Sequence, residues 1–252
     1  MKRTTNYKLS AATKRIVTPV FLLIFGVYSA FAQEQLQLEK QEIRYGTFEY
    51  DSLKSTIGIE LNFEIPAIYC DADTALVSIR TQILSAIYET PVDSVIRDSS
   101  ALVHLFFEID SLPTESEMPL PYQKTRTGKV LFANANYVSY AINGYDYSGG
   151  AHGYTSVYYY EFDVKTGKRL TESDIFKGDY EKTLTQIFLK KLETEDCFKE
   201  LYIDRVRPNG NFFINEKGIT YFFNSYEIAS YACGNFELFI PFEELSAIVQ
   251  TK

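Results

Sequence analysis

His152 lies in the stretch YDYSGGAHGYTSVYYYEFD, Tyr145–Asp163, directly after the adjacent glycines Gly149 and Gly150. An imidazole beside a carboxylate is a small set of groups able to move a proton near neutral pH. Asp146 is close by in the chain, and Glu227 stands in a second aromatic stretch, SYEIASYACG, Ser225–Gly234. Together they admit an envelope polysaccharide hydrolase or deacetylase that uses His152 with nearby carboxylates. Three roles are open to His152: holding the turn through ring-to-backbone hydrogen bonds, contacting a ligand, or serving catalysis or a metal. The same two stretches hold Tyr145, Tyr147, Tyr154, Tyr226 and Tyr231. Tyrosine joins a large, rigid contact area to one hydroxyl, which suits recognition of sugar or protein. The candidate ligand site is therefore Tyr145, Tyr147, Gly149, Gly150, His152, Tyr154, Tyr226, Glu227 and Tyr231. The alternative is that the second stretch packs under the glycine turn as core.

Other chemistries lack their residues. The chain has two histidines, and neither His104 nor His152 is accompanied by clustered cysteines, so a zinc site is not expected. It has no G-x-S-x-G nucleophile turn and no phosphate-cradling G-x-x-x-x-G-K-[ST]. Acid pairs such as Glu243–Glu244 recur too often here to single out a glycosidase pair. The expectation is no catalytic residue, no metal and no cofactor. Cys70, Cys197 and Cys233 form an odd set. One disulfide with a free thiol, or three small buried hydrophobes, are both open.

The elements that must position these residues follow from periodicity. Ile57, Ile59, Leu61, Phe63 and Ile65 alternate with Gly58, Glu60, Asn62 and Glu64, which predicts a strand with one apolar face. Ile43–Tyr50 is expected beside it. Asp71 or Asp73 caps a helix whose Leu76, Ile79, Ile83, Leu84 and Ile87 recur at helical spacing, with Pro91 beyond its end. Ala101–Leu112 is expected to be helical, followed by a proline-rich loop. Strands are expected at Lys129–Ala133, Asn136–Asn143 and Ser156–Val164, then a turn at Lys165–Lys168. Thr171–Asp174 resembles a capping box. Asp179 caps a helix with a Leu184, Ile187, Phe188, Leu192 stripe. Asn211–Ile214 and Ile219–Asn224 form a hairpin, Asn235–Ile240 a last strand, and Pro241 opens a terminal helix through Glu244 and Ile248. Hairpin-linked strands mixed with a few helices predict an α+β fold with antiparallel sheets, arranged as two small α+β subdomains.

The N-terminus bears on location. Five basic residues precede or open an apolar run, Val17–Ala32, that ends in Ala30-Phe31-Ala32. This pattern predicts a signal peptide over 1–32, cut after Ala32, and a periplasmic or secreted protein with no stable membrane span. Residues 1–32 carry five of the 25 Lys and Arg and none of the 33 Asp and Glu, which takes the net charge from −8 to −13. So acidic a chain repels nucleic acid and attracts a basic partner.

Three segments carry a family resemblance: VSYAINGYDYSGGAHG (Val138–Gly153), YYYEFDVKTGKRLTESDIF (Tyr158–Phe176) and YFFNSYEIASYACGNFELFIPFEEL (Tyr221–Leu245). In order and spacing they resemble the RsiV-like family of bacterial extracytoplasmic domains. The likeness covers about residues 136–248, and Ile57–Ile87 resembles the companion domain found ahead of it. Beyond the signal peptide that the N-terminal pattern predicts over 1–32, the resemblance implies 33–148 as a companion domain of the deacetylase-associated kind and 149–252 as the RsiV-like domain. Family members occur as anti-sigma-factor ectodomains that bind lysozyme, beside peptidoglycan deacetylase domains, and alone in secreted proteins. Only 16 residues stand ahead of the apolar run, so no sigma-binding segment is expected, and no deacetylase domain either. The resemblance thus implies a non-enzymatic binding module for an envelope polysaccharide or a protein such as lysozyme. An orphan structural subunit is a third reading.

Overall fold

The computed structural model describes residues 38–45, 57–67, 73–89, 91–92 and 122–250. The signal-peptide segment, Cys70, His104 and the expected helix at Ala101–Leu112 lie outside them. The fold is α+β, as the patterning predicts. One sheet has six strands in sequence order: β1 (Leu38–Tyr45), β2 (Ile57–Pro66), β3 (Tyr122–Ala133), β4 (Tyr137–Tyr147), β5 (Tyr154–Asp163) and β6 (Arg169–Leu170). The second contains β7 (Phe212–Ile214), β8 (Gly218–Phe223) and β9 (Phe236–Pro241). All pairings are antiparallel except β2 with β3, which run parallel. The helices among the described residues are α1 (Thr74–Tyr88), α2 (Glu172–Ile175), α3 (Tyr180–Leu192) and α4 (Phe242–Leu245).

Strand alternation sorts the side chains into four layers. Phe63, Ile65, Tyr140, Ile142 and Phe162 leave one face of the large sheet and bury α1 through Ile79, Ile83, Leu84 and Ile87. From the opposite face, Ala141, Val157 and Tyr159 meet Phe213 and Phe222 of the small sheet. The Tyr159 and Phe213 rings touch edge-on, 4.8 Å apart. Behind the small sheet, Tyr221, Phe223, Leu238 and Ile240 pack on Leu184, Phe188 and Leu192 of α3. The apolar stripe of each helix is thus its buried face, and fully burying one such side chain contributes about 1.5–3 kcal/mol.

Local signals account for the element ends. Asp73 caps α1 by accepting from the Leu76 N–H at 3.0 Å. At Thr171 both halves of a capping box form with Asp174. Asp179 occupies the N-cap of α3, but its side chain makes no cap hydrogen bond. The terminal helix ends at Leu245, short of expectation. Ile248 is buried beyond it and Val249 bridges Phe176. The β5–β6 turn anchors α1: the Gly167 carbonyl accepts from Ser78 Oγ at 3.1 Å and Gln82 Nε2 at 2.8 Å. Gly167 has φ +69°, and a Cβ there would meet the Ala75 carbonyl.

Two devices join the sheets. Beyond the short β6 pairing, β5 has an open edge, and buried asparagines occupy it. Asn224 accepts from Val157 N–H at 2.7 Å and donates to Val157 O at 3.1 Å, while Asn211 accepts from Tyr159 N–H at 2.8 Å. Each amide side chain acts as one link of a missing strand. Between the layers, Glu161 is 1% exposed. Its Oε1 accepts from Ile214 N–H at 3.1 Å, Oε2 lies 2.9 Å from Ser139 Oγ, and that hydroxyl lies 2.7 Å from Ile214 O.

Candidate functional site

β4 and β5 deliver the glycine turn. Gly149 at φ +92° and Gly150 at φ +101° reverse the chain, and the Tyr147 hydroxyl donates to Gly150 O at 3.0 Å. Tyr145 lies flat against Gly153, where a Cβ would strike its ring. These two tyrosines brace the turn. His152 is exposed at the tip, with Nδ1 3.0 Å from Gly153 O. The carbonyl can only accept, so Nδ1 is the donor in this contact.

The segment after β8 comes to meet this turn. The Glu227 N–H donates to Asn224 O at 3.1 Å, closing a four-residue turn with Tyr226 in third place. Tyr226 has φ +73° and is 49% exposed. That place in a type II turn belongs to glycine, and an aromatic residue there costs about 1–2 kcal/mol. The Tyr226 and Tyr231 rings lie 5.5 Å apart, and Tyr231 stacks on His152 at 4.0 Å with 15° between planes. A disulfide between Cys197 and Cys233 anchors the same segment, with Cα atoms 5.8 Å apart. Both sulfurs are thereby spent, so their proximity to Glu200 offers no thiolate metal site.

Tyr154 and Tyr158 lie on β5, and Tyr158 is 44% exposed. Burial, then the charge of Glu227, raises the Tyr158 hydroxyl pKa; burial, then Tyr158 and Glu227, raises that of Tyr154. The Glu227 charge thus reaches both hydroxyls. Its carboxylate accepts from Asn209 Nδ2 at 2.9 Å and Asn224 Nδ2 at 3.2 Å. Beyond Tyr158, buried Arg126 bridges Asp146 and Glu89. Partial burial opposes ionisation of Glu89, but hydrogen bonds and charge from Arg126 and Lys124 prevail and hold it below the usual carboxylate range.

The structure thus joins the two aromatic stretches into one surface. It does not pair His152 with Asp146 or Glu227. Among the described residues no hydrogen bond links His152 to Asp146 or Glu227: Asp146 is taken by Arg126, and Glu227 by two asparagine amides. Sequence reading took Tyr158 only as part of an aromatic strand, Tyr158–Tyr160, on which Tyr226 and Tyr231 could stack, and it missed the ion pair of buried Arg126 with Glu89. The alternation of β5 places Tyr158 on the same face as Tyr154, and that signal was available.

A family model described as a protein of unknown function, DUF3298, matches residues 173–243, the small sheet with its helices. Two solved structures are similar to the chain. One is a member of the DUF3298 family from Bacteroides fragilis, 23% identical, with a TM-score of 0.72, covering 86% of this chain and 94% of that one. The other, a DUF3298 family protein from Pseudomonas aeruginosa, is 19% identical, with a TM-score of 0.61, covering 86% and 96%. These likenesses establish the fold. Among curated proteins none matches.

Proposed function

We propose that the chain is an exported, non-enzymatic binding module of the RsiV-like kind, which grips an envelope component or a basic protein such as lysozyme through Tyr226, Tyr231, His152, Tyr154 and Tyr158. The observation that carries this reading is Tyr226. An exposed tyrosine keeps a backbone conformation that glycine would adopt freely, so the ring is retained at a cost to stability. The stack that it opens exposes the Tyr226 and Tyr231 rings, and Glu227 follows Tyr226 in the same turn. Aromatic rings bordered by a carboxylate suit the lysines and arginines of a basic partner, and a net charge of −8 would draw such a partner in. No helix among the described residues is long and apolar enough to cross a membrane.

The test replaces Tyr226 by glycine, which suits the turn and removes the ring. Binding of the chain to immobilised lysozyme and to insoluble peptidoglycan is measured at low and at raised salt. Tyr226→Gly is expected to weaken capture at least ten-fold, about 1.4 kcal/mol, without lowering the unfolding midpoint. Undiminished capture by this variant, or no capture of either target at low salt, refutes the proposal. Turnover of peptidoglycan abolished by His152→Ala would replace it with an enzymatic role.

A further inference from the structure

Glu227 also lines a cleft of about 470 Å³. That volume falls within the range of small-molecule sites. Its floor is apolar: Phe223 and Ile228 are each 1% exposed. Pro208 and Asn209 form one wall, and Arg205 and Arg207 stand on the rim. The two arginines are presented by design of the backbone. A short 3₁₀ turn, Ile203–Arg205, is pinned where Tyr202 N–H donates to Ile228 O at 2.8 Å. Val206 is then driven into the core, so its two neighbours point outward.

Charge at this rim is unusual for the chain. In a protein with eight more acidic than basic side chains, neither the Arg205 nor the Arg207 guanidinium has an ion-pair or hydrogen-bond partner among the described residues. The Arg205 guanidinium lies 4.9 Å over the Tyr202 ring. Stacking orients its plane and leaves the N–H fork free for a planar oxyanion. Glu227 shares the lining and is held by Asn209 and Asn224. Two amides use only part of a carboxylate's capacity, since it has about four acceptor positions. The cleft therefore offers cationic forks, a fixed acceptor and an apolar floor together.

We infer that this cleft binds the carboxylate end of a short peptide. The arginines take the terminal carboxylate, Glu227 accepts the peptide N–H next to it, and the adjacent small side chain rests on Phe223 and Ile228. A phosphate or sulfate fits less well, because it has no N–H for Glu227 and would bring more negative charge toward it. This site is independent of the aromatic surface apart from Glu227, and the arginines serve only here.

The test is calorimetric titration of the full chain with acetyl-alanyl-alanine, with the same dipeptide as its C-terminal amide, and with inorganic phosphate. The free acid is expected to saturate one site, with the amide and phosphate at least ten-fold weaker. The Arg205→Gln, Arg207→Gln double variant should lose the acid's binding at least ten-fold while keeping its unfolding midpoint and its capture by lysozyme or peptidoglycan. Equal binding of acid and amide, tighter binding of phosphate, or no saturable binding up to millimolar dipeptide overturns the assignment. Tyr226→Gly should leave the dipeptide affinity unchanged, which separates this site's failure from that of the tyrosine surface.

Discussion

Glu161 supplies the sharpest test of how the two sheets are held. Three contacts join its carboxyl group, the Ser139 hydroxyl and the Ile214 peptide. The Ile214 N–H serves one and the single Ser139 proton serves a second. The third needs a proton on Glu161, which then donates to Ser139 while Ser139 donates to Ile214 O. Burial agrees, raising the pKa of Glu161 well above its usual 4.5 despite the bonds from Ser139 and Ile214. Because the folded state holds the proton more tightly, the stabilisation is complete below pH 4.5 and is lost as pH rises through the folded-state pKa. Within that window each pH unit removes about 1.4 kcal/mol. Glu161→Gln keeps every contact, since its amide donates to Ser139 and its carbonyl accepts from Ile214. Urea unfolding of both proteins from pH 4.5 upward isolates the effect as a difference. The wild type should lose about 1.4 kcal/mol per unit relative to the variant until its carboxyl group ionises, and the variant should be the more stable at neutral pH. A difference that stays flat with pH, together with a variant weaker by more than about 1 kcal/mol at pH 7, would show that Glu161 is ionised in place and refute the proton count.

Two further outcomes follow from the frame around the site. Cys197 and Cys233 are 36 residues apart. Replacing both by serine should cost about 4 kcal/mol in urea unfolding through the entropy of the open loop, and a loss below about 1 kcal/mol would mean that the segment is held without the crosslink. Gly167→Ala should lower stability by at least about 2 kcal/mol, from positive φ and from collision with α1 at Ala75; an unchanged thermal midpoint would contradict the close approach.

Where backbone pairing and side-chain pattern agree, the fold was legible. β2 alternates without a break and α1 keeps its stripe, and both lie where the periodicity places them. The first half of β3, YQKTRTG, escaped. Its apolar content is low because Lys124 and Arg126 are strand residues whose charges are met by Glu89 and Asp146, and nothing local shows those partners. Asn211 and Asn224 read as the outer ends of a hairpin's two strands. Their work in completing the edge of β5 depends on packing two sheets together, a contact across more than 50 positions. The segment from Phe198 to Arg205 contains only two 3₁₀ turns and so has no period to detect, which hid Arg205 and Arg207.

The candidate surface was legible in a different way. Residue type singled out Tyr226, Tyr231 and His152, but type alone left packing and exposure equally open. Backbone geometry separates them. Tyr145 and Tyr147 spend their rings on the glycine turn, whereas Tyr226 stands outward at a φ that disfavours it. A core aromatic recovers backbone strain through burial, and Tyr226, half exposed, recovers little. The strain persists because three separate constraints surround it: the Asn224 side chain bonded to β5, Ser225 bonded to Asn235, and the Cys197–Cys233 crosslink. A segment tied at three points around an exposed ring is already organised before any partner arrives. Such a segment loses less conformational entropy on association than a free loop would, and that saving is what makes a small aromatic stack an effective grip.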